Sequence, residues 1–126
     1  MSAKFDFKSL DTGYEADWPV SVPVPIDGGT VEMRDFMARF RTLTKAEIEA
    51  LEQAEKDRDA DGEGAKALAW LETFKATIRL GFVGFGKGEN ETLTPELFDK
   101  LWGHPPTQGA LIKAWRTFVQ VSPAKN

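Results

Sequence analysis

The sequence predicts a mainly α fold with a small N-terminal β-hairpin: an α+β domain of about four helices packed with a two-stranded ribbon. Three observations carry this. Val20, Val22 and Val24 alternate with Pro19, Ser21 and Pro23; Asp27-Gly28-Gly29 follows as a turn; and from Thr44 onward apolar residues recur at three- and four-residue steps. With 126 residues, 41% of them hydrophobic, the chain supports one core. The expected organisation is a flexible arm over 1–17, a single globular domain over 18–121 and a short tail over 122–126.

Each element has its own signal. Proline within the valine run marks an edge strand, because it cannot donate to a ladder on both sides. The two glycines of the turn supply the positive φ that a tight hairpin requires. Beyond it, Val31 and Met33 share one face while Phe36, Ala38 and Phe40 share the other. That switch predicts a bulge or twist near Arg34-Asp35. Thr44-Lys45-Ala46-Glu47 has capping-box spacing and opens an acidic helix with Ile48 and Leu51 on one side. A longer helix from about Ala65 carries Leu68, Leu71, Phe74, Ile78 and Phe82, and a glycine-rich loop from Gly81 to Gly88 ends it. Thr94-Pro95 is an N-cap followed by proline at the first helical position, opening a short helix with Leu97, Phe98, Leu101 and Trp102. The last helix carries Leu111, Ala114, Trp115, Phe118 and Val121.

Composition narrows the chemistry. There is no cysteine, so no thiolate nucleophile and no sulfur-ligated metal, and one histidine supplies little acid–base capacity. We therefore expect no enzyme, no catalytic residue, no metal and no cofactor. The apolar run Leu80 to Phe85 is too short for a membrane span, and the charged N-terminus lacks a signal-peptide pattern, which predicts a cytoplasmic protein. The net charge of −4 is unevenly spread. Residues 44–64 hold eight acids against three bases, whereas residues 100–126 hold four bases and no acid. Four dispersed bases do not form the dense stripe that nucleic acid demands.

Three motifs resemble known chemistry without completing it. Asp57-Arg58-Asp59-Ala60-Asp61-Gly62 begins like a calcium loop, but Leu68 stands where the bidentate glutamate belongs. Gly81 to Lys87 has phosphate-loop spacing, but Gly88 replaces the magnesium-binding hydroxyl and a helix, not a strand, precedes it. His104 stands between glycine and prolines with no nucleophile near it.

Nine Phe, four Trp and one Tyr are a generous aromatic supply for so small a core. Phe82 and Phe85 in the glycine-rich segment, with Trp102 and Trp115 in the basic third, are therefore the candidate partner-binding residues.

The order of motifs carries a resemblance. After the DGG turn come Phe36-Met37-Ala38-Arg39-Phe40-Arg41-Thr42-Leu43 and Lys45-Ala46-Glu47-Ile48-Glu49, then Leu80-Gly81-Phe82-Val83-Gly84-Phe85. Leu93-Thr94-Pro95-Glu96-Leu97, Leu101-Trp102-Gly103-His104-Pro105 and Ala110-Leu111-Ile112-Lys113-Ala114-Trp115 follow. Over residues 20–119 this resembles the tail assembly chaperone family of long-tailed, siphovirus-type bacteriophages and prophages. It departs from the family pattern at Phe82, where tryptophan is usual, and at Gly84 to Gly88, where an acidic loop is usual. The resemblance implies a non-enzymatic, non-virion protein in the cytoplasm of the bacterial host. Its implied partners are the tape measure protein and the tail tube protein, with a homo-oligomer and a longer form of itself made by ribosomal frameshifting as further ones. Ala124-Lys125-Asn126 can be encoded with the slippery run A-AAA-AAC, which is the coding signature to look for. The alternative is an oligomeric protein-interaction module, weakly calcium-responsive through the Asp57–Asp61 loop.

Overall fold

The structure, a computed structural model, describes residues 4–59 and 66–120. In chain order the elements are α1 (Ser9–Thr12), β1 (Glu15–Ile26), β2 (Thr30–Arg41), α2 (Lys45–Asp59), α3 (Lys66–Gly81), β3 (Phe82–Phe85), α4 (Pro95–Gly103) and α5 (Pro105–Val119).

β1 and β2 form a long antiparallel hairpin, in register from Glu15↔Arg41 to Ile26↔Thr30. At ~3.3 Å per residue each strand reaches roughly 40 Å. Gly28 and Gly29 close the turn with φ of 93° and 78°, the left-handed conformations that glycine adopts without a Cβ penalty.

The sheet does not stop at two strands. β3 pairs antiparallel with β2, Ala38 opposite Phe85 and Phe40 opposite Phe82, giving the order β1-β2-β3. The expectation of a two-stranded ribbon with helices is corrected accordingly, and so is the reading of Gly81 to Gly88 as a loop throughout. The physical reason lies at Gly81. A Cβ there would run into the Trp115 ring, so α3 ends in tight contact with α5. The chain leaves that contact already extended and lies along β2. The predicted bulge near Arg34-Asp35 is also corrected. The β1–β2 register is continuous there, and the irregularity falls between Arg39 and Phe40 on the β3 side.

The core is wholly apolar among the described residues. Val20, Val22, Ala38, Phe40 and Phe82 supply it from the sheet. Ile78, Phe98, Trp102, Leu111, Trp115 and Phe118 supply it from the helices. Phe40 sits at the centre, edge-on to Phe82 and Trp115 at ring distances of 5.7 and 5.4 Å. α5 packs along β1, where small Ala110 and Ala114 lie beside Pro19 and Ser21, and Trp18 donates its indole N–H to Thr117 Oγ1 at 3.0 Å. That packing shields the outer side of β1. α2 presents no buried side chain among those described, and it packs against α3 alone to any extent.

Candidate functional site

The feature best suited to holding a ligand lies where β2 leaves the sheet. Arg41 ends β2 and makes paired hydrogen bonds to Glu47, both at 2.9 Å, while donating to the Leu80 carbonyl at 3.1 Å. One guanidinium thus ties the end of the sheet to the start of α2 and the end of α3. Glu47 also completes the capping box: its carboxylate accepts from the Thr44 amide at 2.9 Å, and the Thr44 hydroxyl accepts from the Glu47 amide at 3.3 Å. The Arg41 guanidinium first, with the Thr44 amide second, holds the Glu47 carboxyl down at about 2.

Beside this tie, at Thr42 and Leu43, lies an apolar groove of about 340 Å³ between α2, α3 and α5. Trp115 and Phe118 line it from α5, and Leu43 from the connection that follows β2. Ile48 and Val119 stand at its mouth, 45% and 48% exposed. Its two hydroxyls are already engaged, Thr77 donating to Thr73 O and Thr42 accepting from the Tyr14 amide. A groove of methyl and ring surface whose two hydroxyls are engaged suits apolar side chains.

The sequence-predicted residues fall elsewhere. Phe82 and Trp102 are buried, Trp102 stacked on Phe98 with planes only 8° apart. Phe85 is half-buried against Phe36 and Phe82. Trp115 is largely buried, yet it alone of the four also lines the groove. The structure brings Phe82 and Phe85 together on β3 and leaves Trp102 apart from Trp115 on separate helices. His104 stands between α4 and α5 as the shared cap position. Asp57 lies within α2 and accepts from Gln53; the rest of the Asp57–Asp61 motif, as a side-chain cluster, lies outside the described residues, as do residues 121–126.

Apart from Trp115, the groove's residues escaped sequence reading. Ile48 and Val119 look like ordinary helix-stripe positions, and the only available signal was that the Ile48 stripe is too narrow to be fully covered.

No helix among the described residues is long and apolar enough to cross a membrane. No family model, curated protein or solved structure matches the chain.

Proposed function

We propose that this chain is a non-enzymatic assembly chaperone that holds apolar segments of a longer protein. In the reading its motif order supports, the partners are a phage or prophage tape measure protein and tail tube subunits, met in the bacterial cytoplasm. The observation that carries the proposal is the groove lined by Leu43, Ile48, Trp115, Phe118 and Val119. It suits one or two side chains of an amphipathic helix, the mode in which helix-in-groove binders work. A hold confined to a few apolar contacts is weak and reversible, as a chaperone requires of a partner it must later release.

Coexpression tests it. A tape measure protein that is insoluble alone is expected to become soluble with this chain and to copurify with it. Ile48→Asp, which places a charge at the groove mouth without touching the core, is expected to abolish both effects. Equal insolubility with and without the chain overturns the proposal.

A further inference from the structure

The backbone of β2 carries a second surface, independent of the groove. In the hairpin, alternate residues of β2 turn their N–H and C=O groups toward β1 or away from it. Met37 fixes the phase: its N–H donates to Glu89 Oε2 at 2.7 Å and its carbonyl accepts from the Gly86 amide at 2.8 Å, both on the side away from β1. On the β1 side, the Thr42 amide donates to the Tyr14 carbonyl, in keeping with that phase. Because the register is continuous, Val31, Met33 and Asp35 turn the same way as Met37. β3 covers β2 only from Ala38 onward, and Gly86 and Glu89 cover Met37. Among the described residues, nothing pairs with the backbone groups of Val31, Met33 and Asp35.

The same phase explains the prolines. Pro19, Pro23 and Pro25 sit opposite Met37, Met33 and Val31, so their nitrogens face outward and no ladder hydrogen bond is lost. β1 is thereby blocked against a further strand, by proline and by α5. β2 is not. Its open stretch also carries apolar side chains that contribute nothing to the core: Val31 is 60% exposed and Met33 56%.

We propose that the open edge of β2 is a self-association surface, on which two copies pair antiparallel through Val31 to Asp35 about a two-fold axis at Met33. The sequence there is self-complementary in charge. With Met33 on the axis, Glu32 of each copy stands opposite Arg34 of the other. Glu32 and Arg34 already meet within one strand at 2.7 Å, and in the pair the four charges alternate around a ring. Val31 meets Asp35, Met33 meets Met33, and every outward backbone group of the three residues finds a partner. Other registers do worse. An axis at Asp35 or Glu32 sets two carboxylates face to face, and an axis at Arg34 sets two guanidiniums face to face. The two three-stranded sheets become one of six strands, with Met33 and Pro23 of each copy forming a continuous apolar strip. A shared interface of this kind is isologous and closes at two copies.

Charge reversal tests the pairing directly. Sedimentation of the full chain across micromolar to millimolar concentration is expected to show a species twice the 14.0 kDa chain mass. Arg34→Glu or Glu32→Arg alone places like charges opposite one another twice and is expected to weaken dimerisation about tenfold or more. Mixing these two variants is expected to restore it as a heterodimer, since each then meets its opposite sign. Met33→Pro removes an outward amide that the monomer does not use. It is expected to abolish the dimer while leaving circular dichroism and thermal unfolding of the dilute protein unchanged. A monomer at every concentration, a dimer indifferent to these substitutions, or no recovery on mixing overturns the proposal. So does a dimer that forms only with a foreign peptide on the edge.

Discussion

At the scale of single residues, the two positions that fix the architecture are one with no side chain and one with a long one. Gly81 lies so close to Trp115 that any Cβ must displace the indole or the helix end. Gly81→Ala is expected to cost about 1–3 kcal/mol through overpacking, read as a lower urea midpoint with an unchanged slope. Arg41 works by charge. Its partner Glu47 has a folded-state value of about 2, below the ordinary 4.5. A depressed carboxylate contributes stability that is fully present above its unfolded value and is lost as pH falls through its folded one. The thermal midpoint is therefore expected to fall between about pH 5 and pH 2. Glu47→Gln is expected to lower the midpoint at pH 7 and to flatten that part of the profile. An unaltered acid slope in this variant would place the effect elsewhere. The sequence displays Glu47 through its spacing from Thr44. It does not display Arg41, because nothing local announces a side chain that bridges three elements.

At the scale of elements, legibility follows how local the cause is. The glycine turn, the capping box and the Thr94-Pro95 start are written within a few residues, and all three are present in the structure. Thr94 accepts from the Leu97 amide at 3.1 Å, so Thr94→Ala is expected to cost about 1 kcal/mol in chemical denaturation, chiefly through α4. β3 is the opposite case. Four residues with a central glycine have no strand signal of their own, and Phe82 fits the helical spacing of Phe74 and Ile78 equally well. What makes them a strand is β2 alongside, which no window along the chain contains. The candidate aromatics misplace for a related reason. Counting rings against chain length predicts that some stay outside, but the ring cluster around Phe40 takes in Phe82 and Trp115, and Phe98 takes in Trp102. The rings left outside are instead Phe5, Phe7, Tyr14 and Trp70, and with them Ile26, Val31, Met33, Ile48, Leu80, Val83 and Val119 are exposed. The alternation switch at Arg34-Asp35 was a true signal with another meaning. Val31 and Met33 lie on the face of the pleat opposite Phe36, Ala38 and Phe40, and Met33 sits beside Pro105 and Pro106 at the start of α5.

At the scale of the whole molecule, four of those exposed side chains mark two surfaces: Ile48 and Val119 the groove, Val31 and Met33 the open edge. The groove lies beside the sheet end at Thr42, and the open edge centres on Met33, so roughly 30 Å of strand stands between them. Sites so far apart with no shared partner are expected to act additively. This gives a double dissociation. Ile48→Asp is expected to abolish capture of the tape measure protein and to leave the sedimentation mass unchanged. Arg34→Glu is expected to shift the mass toward the monomer while binding per chain, measured by calorimetry with a tape-derived amphipathic peptide, keeps its affinity. With an intact, long tape protein the second variant should still bind more weakly. A dimer presents two grooves to one extended chain, and the second contact then occurs at high effective concentration. Capture by the dimer is therefore expected to exceed capture by the monomer only for partners long enough to span both grooves. Loss of peptide affinity in Arg34→Glu would instead mean that the two surfaces are one coupled site.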